Sequence, residues 1–209
     1  MPAIIYALAF TGGFVIMSLE LLGGRVLAPY FGSSIYVWGS IITVFMLSLA
    51  LGYLFGGKLS LHRPSLTKFG IIFAVAAVLL YPLVYSAEPA MIFIFERVED
   101  PRYGSLLAAS LLFILPTVIM GMISPYSVRL LVASTHESGQ VAGRLYFVST
   151  MGSALGTLAT SFYFVLWFEM NTILTMLALA LLLMSAIALT AGNLSSRDRN
   201  ETAGQTSNW

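Results

Sequence analysis

Glu20 is the only carboxylate within an otherwise apolar run, Ala3–Gly23. An ionisable group inside a membrane span costs about 2.5–3.5 kcal/mol on insertion scales, so such a group is usually paired or functional. Two chemistries suit it. Facing a polar cavity, the carboxylate binds a cation or carries a proton. Alternatively Arg25, five residues on and beyond Gly23-Gly24, folds back to form an ion pair that fastens the helix end to the next loop. The segment Arg25–Trp38 adds aromatic and breaking residues. Pro29 and Gly32 interrupt it, and Ser33-Ser34 are placed to cap a following helix. Tyr30, Tyr36 and Trp38 suit a membrane–water interface, or they line an outer vestibule as part of a short re-entrant element. Pro116 lies in the middle of a fourth apolar run and frees a backbone carbonyl, with Gly121 and Pro125 as a second weak point. Broken helices of this kind line transport sites, and they also serve plain packing.

Catalysis by the chain itself has little to work with. A reaction centre needs a base, nucleophile or electrophile gathered in one pocket. No Gly-x-Ser-x-Gly, zinc motif, Gly-rich phosphate loop or Gly-x-Gly-x-x-Gly is present. His62 and His136 fall in predicted loops without a ligand partner at helical spacing. There is no Cys, which excludes disulfides and thiolate chemistry. The expectation is no catalytic residue, no metal and no cofactor.

The elements that must position these residues follow from composition. Of 209 residues, 58% are hydrophobic and 9% charged. Soluble domains carry about 25% charged residues. The composition therefore excludes a soluble enzyme, a disordered chain and a nucleic-acid binder, which would need a basic stripe. An all-α polytopic bundle of about six transmembrane helices is predicted over residues 1–192: Ala3–Gly23, Ile35–Gly56, Phe69–Ala87, Ser105–Ser127, Arg144–Trp167 and Thr172–Ala191. No alternating ten-residue segments suggest a barrel. The first run lacks a basic leader and is read as a retained helix. Loop Lys and Arg residues place both termini in the cytoplasm of an inner membrane. Pro89–Arg97 reads as an interfacial segment, and 193–209 as a disordered polar cytoplasmic tail. Gly52 with Gly56, and Gly152 with Gly156, allow helix backbones to approach closely, within one molecule or in a homo-oligomer. No internal repeat is evident.

Glu20 through Gly57, with Glu-Leu-Leu-Gly-Gly-Arg-Val-Leu-Ala-Pro-Tyr-Phe-Gly-Ser-Ser-Ile-Tyr-Val-Trp at its start, resembles the membrane module of spermidine synthase-like proteins, the fused major-facilitator/spermidine-synthase group. Pro116-Thr117, Met120-Gly121 and Pro125 resemble its fourth helix. Gly143–Tyr146 and Thr150–Gly156 resemble its fifth. The Gly56–Pro64 loop is similar to the short loop between the second and third helices of facilitators, with Ser60 in place of the acid. Ser149 and Glu169 depart from the module's Asn and Gly. The resemblance implies half of a facilitator-type fold and carries over Glu20, Arg25, Trp38, Pro116 and Pro125 as shared positions. It implies no aminopropyltransferase site here, because no counterpart of that Rossmann-like domain follows.

Three functional expectations result. The first is a stand-alone membrane subunit or scaffold for a separate spermidine synthase-like enzyme, which it holds at the membrane or hands a small cationic substrate. The second is a polyamine-like transporter or exporter working as a homo-oligomer, with Glu20 binding the cation. The third is a structural membrane partner of a larger complex.

Overall fold

The computed structural model describes residues 2–132 and 138–206, with 195–206 as backbone only. His136 and Glu137 lie outside the described residues. The elements are α1 (Pro2–Phe31), α2 (Ile35–Ser60), α3 (Leu66–Leu80), α4 (Leu83–Phe95), α5 (Pro101–Gly121), α6 (Ile123–Leu131), α7 (Ser138–Ala159), a π turn (Thr160–Phe164), α8 (Val165–Trp167) and α9 (Met170–Thr206). No strand occurs among the described residues. Four helices are long and apolar enough to cross a membrane: Pro2–Phe31, Ile35–Ser60, Pro101–Leu131 and Met170–Leu194. The pair α3 and α4, bent by 47°, makes a fifth candidate span. Large apolar side chains cover the outside; Leu47 and Leu54 are each 62% exposed and Leu183 is 58% exposed. Water would penalise that surface and lipid would not. The chain is all-helical and has the character of a multi-pass membrane protein.

Four boundaries differ from expectation for identifiable reasons. The first helix does not end at Gly23-Gly24 but continues through Pro29 to Phe31. These glycines are packing notches. A Cβ on Gly24 would lie 2.7 Å from the Trp38 ring, and one on Gly23 would lie 3.2 Å from that of Phe113. The expected third helix, 69–87, is cut at Pro82, which has no N–H to bond Val78 and clashes with the turn before it. The interfacial segment beginning at Pro89 is consequently continuous with α4. The predicted disordered tail continues the backbone of α9 as far as Thr206. The fourth run breaks at Met122 rather than at Pro116, which is buried inside an unbroken α5. Pro125 lies three residues past that break and cannot bond the Gly121 carbonyl. Ser34 is the N-cap of α2, but its side chain makes no capping hydrogen bond.

The helices pack as three pairs: α1 with α7, α2 with α5, and α3 with α9. In the first two the glycines bring backbone against backbone. A Cβ on Gly52 would strike the Val118 carbonyl and Gly121, and one on Gly56 would meet Met122. A Cβ on Gly152 would strike the Phe10 carbonyl, and one on Gly156 that of Phe14. Contacts that rise together in number mean that both pairs run parallel. The third pair is antiparallel, since Gly70 abuts Leu189 and Gly192 abuts Thr67. Both glycine pairs are therefore spent within the molecule.

The two glycine seams share one register. Gly52, Gly56 and Leu49 on α2 occupy the places of Gly152, Gly156 and Ser149 on α7. Val118, Gly121 and Met122 occupy the places of Phe10, Gly13 and Phe14. Gly121 faces the Leu49 carbonyl as Gly13 faces that of Ser149. Exchanging the first three long elements for the last three thus maps each seam onto the other and α3·α9 onto itself. The packing thus carries an exchange symmetry that the sequence did not disclose.

Polar atoms support the seams unevenly. Ser40 and Ser105 share a hydrogen bond of 3.1 Å between α2 and α5, and the Ser18 hydroxyl donates to the Gly156 carbonyl at 3.3 Å. The buried hydroxyls of Ser48, Thr117 and Thr160 have no partner. Their small size suits the seam, while their oxygens are left unpaid in hydrogen bonds. Ser48→Ala and Thr117→Val should each raise the thermal midpoint in detergent, by an amount equivalent to up to about 1 kcal/mol. A lowered midpoint in both would mean that these hydroxyls do have partners.

Candidate functional site

Three helices converge at the end of the bundle where α1 finishes, the Phe31 end. Arg25, Pro29 and Tyr30 from α1, Tyr85 and Glu88 from α4, and Asn171 from α9 line a groove of about 240 Å³. The kink at Pro82 creates it, because a straight continuation of α3 would not lay α4 across the end of α1. Aromatic contacts hold α4 in place. Phe95 meets Tyr30 and Phe31 edge-on, each with centroids 6.1 Å apart. The Tyr81 and Tyr85 hydroxyls lie 3.4 Å apart. On the outer face of α4, the Arg97 guanidinium covers the Phe93 ring at 3.7 Å.

Arg25 does not fold back on Glu20. On a continuous helix, five residues turn the chain through about 500°, leaving the two side chains roughly 140° apart. The Arg25 guanidinium instead donates from Nη1 to the Val165 carbonyl at 2.8 Å. Val165 opens the three-residue α8, whose carbonyls lie in the last turn of this helical stretch, so Arg25 satisfies one of them. The remaining guanidinium donors are available to the groove. The expected ion pair is therefore replaced by a bond between α1 and α8.

The other sequence candidates lie apart from this groove. Glu20 is half-buried in α1, one turn before Gly24, on the face that carries Trp38. Trp38 packs over Gly24. The Arg102 guanidinium carbon lies over the Tyr36 ring, 4.7 Å from the ring centroid. Pro116 is buried and Pro125 half-buried, in α5 and α6. Of the expected ligand-binding residues only Arg25 lines the groove, joined by Pro29 and Tyr30 from the same aromatic segment. Sequence reasoning missed Tyr85, Glu88 and Asn171. A carboxylate six residues beyond a proline, in a stretch otherwise apolar, was the available signal.

The groove combines a guanidinium, an exposed carboxylate, two phenol rings and an amide. Such a set has the chemistry to hold a small cation, through Glu88 and the aromatic faces. With Arg25 it also suits a zwitterion. Among the described residues no three His, Asp or Glu gather as a metal site.

Comparison with known proteins adds no relative. No family model, curated protein or solved structure matches this chain. The likeness to the spermidine synthase-like module rests on the residues quoted from the sequence.

Proposed function

We propose that this protein is one six-span half of a facilitator-type carrier, acting as the membrane subunit of a separate spermidine synthase-like enzyme. It takes a small cationic substrate at the groove and presents it to that partner. The shared register of the two glycine seams carries the reading, because many carriers are built from inverted repeats of this kind. In this reading α7, the π turn and α8 form the remaining span. Both termini then lie in the cytoplasm of an inner membrane, as the Lys and Arg residues at the Pro2 end favour. The groove then opens on the outer side.

Affinity purification from native membranes in mild detergent tests the assembly. A co-purifying enzyme of synthase-like fold is the expected result; the chain recovered alone overturns it. A second reading, transport by a homo-oligomer, is favoured by the same repeat, since substrate sites in such carriers lie between repeats or between halves. Reconstituted uptake of a polyamine panel decides it. Equal uptake by wild type and Glu20→Gln removes Glu20 from the mechanism. Altered assembly with no flux in either favours a purely structural partner.

A further inference from the structure

We propose that the Pro2 end of the bundle holds one anionic phospholipid, with an acyl chain between α2, α3 and α5 and its phosphate on Lys68. The site is a groove of about 340 Å³ on the outside of the bundle. Leu59, Ile71, Val75, Ile119 and Met122 line it, and Lys68 is the only charged residue among the described ones that do. Ile71 is 50% and Val75 39% exposed, so the groove opens sideways to whatever surrounds the bundle. Val75 lies seven residues beyond Lys68, about 10 Å deeper along the helix. A chain lying along α3 therefore has its polar end at Lys68 and its apolar part at Val75.

The loop fixes the ammonium at that end. Lys68 Nζ donates to the His62 carbonyl at 2.5 Å, and an ammonium has two further donors for a phosphate. The loop itself is clamped. The buried Tyr126 hydroxyl accepts from the Ser65 N–H at 3.1 Å, and its ring stacks on Phe69 with centroids 5.4 Å apart. Arg63, just before Pro64, has φ 47°, in the left-handed region that costs a residue with a Cβ about 1–2 kcal/mol. Strain of this kind persists where the surroundings enforce it, and it concentrates at binding sites.

Charge selects the headgroup. Lys58, Arg63, Lys68, Arg129 and Arg144 lie at the Pro2 end. No Asp or Glu with a described side chain lies there; Glu88, Glu96, Glu99, Asp100 and Glu169 are all at the opposite end, and Glu20 is within α1. Among the described side chains an anionic headgroup meets only cations at this end, each worth about 1 kcal/mol near an anionic membrane surface. A neutral one gains none of that. The inference rests on the membrane reading but not on any partner or substrate.

The test is native mass spectrometry of the delipidated full chain in mild detergent. It is titrated with phosphatidylglycerol, with phosphatidylcholine of identical acyl chains, and with glycerol phosphate. Phosphatidylglycerol should bind at least tenfold tighter than either of the others. Lys68→Gln should remove most of its advantage over phosphatidylcholine, while Lys68→Arg keeps it. Ile71→Trp, at an exposed position, should weaken both lipids by filling the groove. Equal binding of the two lipids overturns the proposal. So does glycerol phosphate binding as tightly as phosphatidylglycerol, or undiminished binding in both Lys68→Gln and Ile71→Trp. Circular dichroism of each variant in the same detergent separates lost binding from lost folding.

Discussion

Gly152→Leu and Gly52→Leu should each unseat a helix, and by similar amounts. At both positions even a Cβ would overlap a backbone carbonyl of the facing helix, Phe10 on α1 or Val118 on α5. Backbone cannot rotate away as a side-chain tip can. Overpacking usually costs about 1–3 kcal/mol and more where relaxation is blocked, so a loss of at least about 3 kcal/mol is expected for each. Thermal unfolding in mild detergent would report it. Gly57→Leu is the control, since a Cβ there meets nothing within 4 Å. The near-equality of the two effects is the sharper part of the expectation. If Gly152→Leu unfolds the protein and Gly52→Leu leaves it untouched, the seams are not equivalent.

Glu88→Gln should weaken binding of a spermidine-like cation by about tenfold or more. Hydrogen bonds to charged groups contribute about 1.5–3 kcal/mol, and about 1.4 kcal/mol corresponds to tenfold in affinity. Glu20→Gln should leave that binding within twofold, because Glu20 does not line the groove. Equilibrium binding of the labelled cation to purified protein separates the two. Loss with Glu20→Gln and none with Glu88→Gln would move the site onto the Trp38 face of α1. Raised salt should weaken wild-type binding more than that of Glu88→Gln, since an exposed carboxylate is screened.

Much of the architecture was legible because lipid simplifies the problem. Long apolar runs without alternation can only be helices, and four of the expected spans have matching helices long and apolar enough to cross. Gly52, Gly56, Gly152 and Gly156 announced close backbone approach, since little else explains small residues at that spacing. Glycine and proline misled where their local meaning was overridden. Gly23-Gly24 resembled a turn, yet the rings of Phe113 and Trp38 needed the space. Pro116 resembled a break, yet neighbouring helices support α5 there, while Pro82 and Pro125 fall beside the breaks. The groove was the least legible part. Arg25 belongs to the first helix, Glu88 to the fourth and Asn171 to the last, and only packing brings them together. The shared register was hidden because the seams constrain only the glycines, which meet backbone rather than particular side chains.

The bond from Arg25 to the Val165 carbonyl gives the groove an asymmetry between ligand charges. A cation resting on Glu88 leaves that tie untouched. An acid drawn to the guanidinium shares it with that carbonyl, because Nη1 is committed to Val165 while Nε and Nη2 still offer a side-on fork. Acids would therefore dock against the join between the first helix and the chain after the π turn, whereas cations would dock away from it.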